Sequence, residues 1–329
     1  MNLRAKGVSA GLMLGGLIAL GAMMSGGAAA APSSGDTAVA AASCEKSKNV
    51  EAIIDDSGSM SGNDPENLRV ELLRALTQLG GANGRTLGAV EFGDSGGVLF
   101  APVSMPEPAL SAINGAAFLV SADNGGTDYN LAFNQALAAN PNATSRIFLS
   151  DGGHNVGDYA NGHLGVRTFV IGFGSVDSLV LEQIANDTGG FVSLLNDASQ
   201  VPSVAADIVA GMNCRRPPVV FTDTFTRDGQ RFGHAFKARG KTADMLITWP
   251  GVGIRITAVK FKQIIGGKVA RKGTVAVTSR TRGVKTRKKN GENFTTIRLK
   301  GLKKKGKVKF KVKAGTLSVP TVATTKVVR

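Results

Sequence analysis

The second half of this 329-residue chain is almost without acid. Residues 215–329 hold 30 Lys plus Arg against 4 Asp plus Glu, a net of +26, while residues 1–214 hold 9 against 20, a net of −11. Tryptophan occurs once, as Trp249, and no aromatic interleaving supports base stacking. That argues against a surface built to stack nucleic-acid bases. The two cysteines, Cys44 and Cys214, allow one disulfide. Beyond the N-terminal segment no run approaches the ~20 apolar residues a spanning helix needs. No sortase-type motif, lipobox or C-terminal anchor is present, so any surface attachment is expected to be non-covalent.

Residues 1–30 read as a secretory signal peptide. Arg4 and Lys6 supply a charged start, residues 8–24 an apolar middle, and Ala28-Ala29-Ala30 a small-residue cleavage site. A small, polar lead-in over 31–46 follows. The remainder divides into an α/β domain over 47–213, a stiff Arg-Pro linker over 214–218 and a basic β-rich domain over 219–329.

The most informative stretch is Ile53-Ile54-Asp55-Asp56-Ser57-Gly58-Ser59. A buried strand over 50–54 empties into a loop of carboxylates and hydroxyls. Asp55, Ser57 and Ser59 alternate, so a partly extended loop aims their oxygens one way. A hard cation such as Mg2+ takes about six oxygens at roughly 2.1 Å. Gly125-Gly126-Thr127-Asp128 and the strand-terminal Ser150-Asp151-Gly152 can supply more of them. In a parallel α/β sheet, loops at the strands' carboxyl ends converge on one rim. Taken alone, Asp-Asp-Ser-Gly-Ser also suits a polar turn leading into a helix.

Together these three motifs resemble a von Willebrand factor type A domain over roughly residues 47–213. In that family they form the metal-ion-dependent adhesion site. The resemblance assigns ligand roles to Asp55, Ser57, Ser59, Thr127 and Asp151. It implies Mg2+, with Mn2+ or Ca2+ as alternatives, and a partner protein that presents Asp or Glu to the metal. Position 56 varies in the family. The fold's termini lie on one side, so a Cys44–Cys214 bridge staples them in an oxidising compartment. Closing that 170-residue separation is worth roughly 5 kcal/mol on chain-entropy grounds.

Strand and helix signals alternate through this domain, predicting a doubly wound, mainly parallel sheet. Strands are expected over 50–54, 86–92, 98–102, 146–149, 166–171 and 191–195. Helices are expected from Asp64-Pro65-Glu66 through Leu79, and over 129–139, 179–185 and 201–212. Gly93-Asp94-Ser95-Gly96-Gly97 matches the nucleophile segment of chymotrypsin-like proteases. Such an enzyme needs a His base, placed earlier in its chain, and here His154, His163 and His234 all come later. The segment therefore reads as a hairpin turn. His154 reads as a solvated loop residue near the rim.

In the basic half, strands are expected over 245–249, 254–261, 274–278, 295–299 and 308–312, forming a smaller all-β sandwich. In Lys307-Val308-Lys309-Phe310-Lys311-Val312-Lys313, alternation puts four lysines on one face. Two readings fit: a solvated face that also blunts a sheet edge, or a polyanion-binding stripe. The net charge exceeds what solubility requires. For an exported chain, an anionic envelope polymer or lipid surface is a more plausible partner than nucleic acid.

The expected function is therefore a secreted or envelope-associated, non-enzymatic, metal-dependent binding or adhesion protein, whose cationic domain holds it at an anionic surface. The alternatives are a metal-assisted hydrolase, which lacks a candidate base, and a structural subunit with a stabilising metal.

Overall fold

Strand β1 (Asn49–Asp55) is fully buried from Val50 to Asp55, as expected of a strand covered on both faces. It pairs in parallel with β2 (Thr86–Phe92) on one side and β4 (Ser145–Gly152) on the other. β5 (Arg167–Ser175) and β6 (Phe191–Leu194) extend the parallel array. β3 (Gly96–Ser104) returns antiparallel beside β2. The order is β3-β2-β1-β4-β5-β6. The winding changes side between β1 and β4, and their carboxyl ends flank the crevice such a switch creates. The computed structural model describes residues 44–160, 162, 165–250, 254–275, 285–290 and 293–329. The expected signal peptide, the lead-in up to residue 43, His163 and residues 276–278 of one expected strand lie outside them.

Helices cover both faces, as the alternating pattern predicts. They are α1 (Met60–Asn63), α2 (Leu68–Gln78), α3 (Ala109–Ala116), α4 (Tyr129–Ala139), α5 (Ser178–Asp187) and α6 (Ala205–Met212). Leu72 and Leu76 of α2, Ile113 of α3 and Val209 of α6 pack with Ala52 and Ile54. Phe133 of α4 and Ile184 of α5 pack with Ile53 on the opposite face, following the strand's period of two. The expected helix over 201–212 starts instead as a 3-10 segment, Ala198–Val204, containing Pro202. Proline lacks the N–H that continuing α-helix requires. α3 has no counterpart among the sequence expectations. Asp64 accepts from Leu68 N at 2.7 Å and Arg69 N at 3.1 Å, although the residue flanking α2 is Asn67, at φ 51°.

The basic half folds as two antiparallel sheets. One has the order β11-β10-β14-β8, with β8 (Arg231–Lys237), β10 (Ile254–Ile265), β11 (Lys268–Val275) and β14 (Lys307–Leu317). The other runs β12-β13-β9-β15-β7, with β7 (Val219–Phe225), β9 (Thr242–Thr248), β12 (Lys285–Asn290), β13 (Phe294–Lys300) and β15 (Thr321–Val328). Val308, Phe310 and Val312 turn inward against Met245, Ile247 and Leu299. β7, β8, β12 and β15 are additions to the sequence reading. The five-stranded sheet sends Leu246, Phe294 and Val328 into the same core as α2 and α6, and Lys326 pairs with Asp207 of α6 at 2.5 Å. Cys44 and Cys214 are disulfide-bonded. Beside them Ser47 N donates to Met212 O at 3.0 Å.

Candidate metal centre

Asp55 is the last residue of β1 and Asp151 lies one residue before the end of β4. Both are fully buried. Asp55 Oδ1 accepts from Ser57 N at 2.9 Å, which bends the chain back over the strand end. Asp55 Oδ2 accepts from Ser150 Oγ at 2.5 Å. Asp151 Oδ1 accepts from Ser59 Oγ at 2.7 Å, and its Oδ2 accepts from Asn63 Nδ2 at 2.9 Å. Ser57 Oγ and Ser59 Oγ are 3.2 Å apart.

The third motif reaches the same place. Gly58 N donates to Gly125 O at 2.9 Å, tying the first loop to the second. Gly125 has φ 57°, and a Cβ there would lie 1.9 Å from an Asp94 carboxylate oxygen, so glycine is favoured and any larger residue would displace Asp94. Asn155 holds Thr127 on both sides. Its Oδ1 accepts from Thr127 N at 2.7 Å, and its N donates to Thr127 O at 3.1 Å. Thr127 Oγ1 and Ser59 Oγ lie 3.5 and 3.7 Å from the point a Cβ on Gly152 would occupy. The five oxygen-bearing residues predicted from sequence are thus gathered beside Gly152. Asp128 stands apart from them, because its carboxylate caps α4 through Asn130 N and Leu131 N.

This donor set suits a hard cation. Neighbouring ligands of an octahedral ion at roughly 2.1 Å sit about 3.0 Å apart, and the 3.2 Å Ser57–Ser59 and 2.7 Å Ser59–Asp151 separations bracket that edge. Among the described residues no three His, Cys, Asp or Glu side chains cluster to hold a metal. Any coordination here therefore depends on the hydroxyls. Burial, then the nearby Asp151 charge, pushes the Asp55 carboxyl up to about 6, against the hydrogen bonds it accepts. Two adjacent buried carboxylates with one raised in this way gain from a cation between them.

Sequence reasoning missed the support beneath the site. Asp56 is no idle neighbour. Its Oδ1 accepts from Ala122 N at 2.7 Å and from Arg69 Nη2 at 3.2 Å. Arg69 is wholly buried and also meets Asp64 at 3.1 Å. Nothing in the sequence separates Arg69 from a solvated helical arginine. Asn63 likewise carried no signal, whereas Ser150 adjoined a motif residue. His154 departs from expectation, since its side chain is only 6% exposed. Its Nδ1 accepts from Tyr129 N at 3.0 Å, and its ring packs on Tyr129 and Tyr159. Ser95 lies in the expected hairpin turn, where its hydroxyl donates to Asn124 Oδ1 at 2.9 Å.

Residues 51–154 match the von Willebrand factor type A domain. The helix-covered, mainly parallel sheet is the fold of that domain. No curated protein matches the sequence. Among solved structures, the chain is similar to a von Willebrand factor type A protein from Catenulispora acidiphila, at 16% identity and TM-score 0.43, covering 83% of this chain and 59% of that one. It is also similar to proximal thread matrix protein 1 from the mussel byssus, whose adhesion motif is described as zinc-occupied. That match has 21% identity and TM-score 0.42, over 54% of this chain and 50% of that one. A third similar structure is BatB from Bacteroides thetaiotaomicron, at 17% identity and TM-score 0.42, over 51% of this chain and 98% of that one.

Proposed function

We propose that this chain is an exported binding protein that engages an acidic residue of a partner protein through a divalent cation, Mg2+ foremost, at the β1–β4 rim. The observation that carries this reading is the convergence of Ser57, Ser59 and Thr127 hydroxyls with the Asp55 and Asp151 carboxylates beside Gly152. Ser57, Ser59 and Thr127 would hold the ion, with the two carboxylates supplying charge. When bound, the ion offers a hard Lewis-acidic position that a partner carboxylate can complete. Ser59 is exposed, so the rim opens to solvent on its side. Ser150, Asn63 and Asn155 fix the orientations of Asp55, Asp151 and Thr127.

A non-enzymatic role fits the rim better than hydrolysis. His154 spends Nδ1 on Tyr129 N, and its Nε2 is buried, which leaves it unsuited to act as a general base toward the rim. The +26 half would hold the protein at an anionic surface. Capture of a carboxylate-bearing protein ligand by the immobilised chain, with Mg2+ and with EDTA, tests the reading alongside Mg2+ calorimetry. Capture should require the ion and vanish in Asp55→Asn. Mg2+ binding with capture indifferent to EDTA would leave only a stabilising metal.

A further inference from the structure

The outer face of the four-stranded sheet of the basic half carries lysines in two dimensions. Strand register sets Lys309 of β14 opposite Lys262 of β10, and Lys262 opposite Lys272 of β11. One pleat along, Lys311 faces Lys260. All five are exposed. On β8 the residues opposite Lys309 and Lys311 are Ala235 and Gly233, which are too short to cover them. These residues line an open groove of about 950 Å³.

The bland explanations of these lysines do not hold. Lysines that guard a sheet against edge pairing belong on edge strands, whereas β10 and β14 are the two interior strands. Lysines that serve solubility are interspersed with acids, yet none of the four strands contains Asp or Glu. Among the described residues, Lys260, Lys262, Lys272, Lys309 and Lys311 have no ion-pair partner. Like charges directly opposite on neighbouring strands are destabilising. These three pairs, with Lys307 opposite Lys237 and Lys313 opposite Arg231 on the same face, are a standing cost, which an anionic ligand would relieve.

We propose that this face binds a linear polyanion, a chain of closely spaced phosphate or sulfate groups lying along β10 and β14. Outward positions repeat at roughly 6.8 Å along each strand, and strands lie about 4.8 Å apart. One anionic chain therefore meets lysines from both strands in succession. The lysines line a groove, which a slender polymer enters and a flat membrane spans. Phe236, Phe261 and Phe310 turn into the sandwich core, so the contacts are to charge and not to bases. The site extends the anion-binding reading of the basic half and is independent of the rim metal.

The test uses the full chain in EDTA, titrated with long-chain inorganic polyphosphate, so failure at the rim does not affect it. The face variant combines Lys260→Gln, Lys262→Gln, Lys309→Gln and Lys311→Gln. The control combines Lys46→Gln, Lys48→Gln, Lys241→Gln and Lys300→Gln, exposed positions whose loss changes net charge equally. The face variant should lose at least about 100-fold in affinity, at roughly fivefold per lysine. Its slope of log affinity against log salt should shrink by about four. The control should stay within about fivefold of the parent chain. Polyphosphate should raise the melting temperature of the parent but not of the face variant, which should itself melt no lower than the parent. Equal losses in both variants would reduce the effect to net charge and overturn the site. So would tighter binding to phosphatidylglycerol vesicles, or to a single-stranded oligonucleotide, than to polyphosphate of equal charge.

Discussion

Ser59 Oγ donates to Asp151 Oδ1 at 2.7 Å across 92 positions of sequence. That contact joins the loop after β1 to the end of β4, and it brings a hydroxyl and a carboxylate to the spacing of adjacent ligands on a small cation. The Asp55 and Asp151 carboxylates and the Ser59 hydroxyl are each held by hydrogen bonds, and the Thr127 backbone is held by Asn155, so this part of the site is pre-organised.

Asp55→Asn should abolish measurable Mg2+ binding. The amide keeps the acceptor for Ser57 N and a partner for Ser150 Oγ, but it removes the charge. Because Asp55 is fully buried at the strand end, alanine would also open a hole in the structure, which makes asparagine the cleaner replacement. Thr127→Val deletes one oxygen of several and should weaken binding by roughly ten- to a hundredfold, about 1.4–2.7 kcal/mol. Calorimetry decides both, and unchanged affinity in Asp55→Asn would remove the metal site.

Arg69→Met should cost about 3–5 kcal/mol of stability, because it strands the buried carboxylates of Asp56 and Asp64 without their cation. Mg2+ affinity should fall with it, since Asp56 also holds the 122–124 loop that leads to Thr127. Adding Asp56→Asn and Asp64→Asn should recover much of the loss. Denaturant unfolding of the single and triple variants measures this, and a single-variant cost below about 1 kcal/mol would be the surface-pair outcome instead.

Glu51 sets a pH dependence. Burial pushes its carboxyl from 4.5 up to about 7, against a hydrogen bond from Asn140 and the charge of Arg146 on the adjacent strand. Between those values the folded chain holds a proton that the unfolded chain releases, so stability falls as pH rises. The group's contribution is fully present below about pH 4.5 and is lost as pH rises to about 7, on the order of 3 kcal/mol in all. Glu51→Gln should flatten that slope across pH 5–7 in chemical denaturation. A variant that kept the parent slope would assign the effect elsewhere.

The rim and its strands were legible because local pattern and chemistry coincide there. Apolar runs ending in Asp-x-Ser-Gly-Ser and Ser-Asp-Gly mark buried strands and oxygen-rich loops at once, and the winding of a parallel sheet brings those ends together. The helix over 129–139 was readable to the residue, since its periodicity starts at a capping Asp128 and stops at Asn140-Pro141. The segment over 201–212 was less so, because Pro202 breaks the α-helical hydrogen bonding that its apolar pattern alone suggests.

By itself, then, the sequence determined the strand ends, the hydroxyl and carboxylate motifs, the single cysteine pair and the inward Val308, Phe310 and Val312. Each depends on residues a few positions apart, where propensity and period act. Only the tertiary structure decided that Arg69 would be buried between Asp56 and Asp64, and that Glu51 would lie beside Arg146. It alone set Lys260 and Lys262 opposite Lys311 and Lys309. Those relationships depend on which strand meets which and in what register. Register is chosen by the packing of both sheets and by the core that α2 and α6 share with Leu246, Phe294 and Val328, and no local pattern encodes that sum.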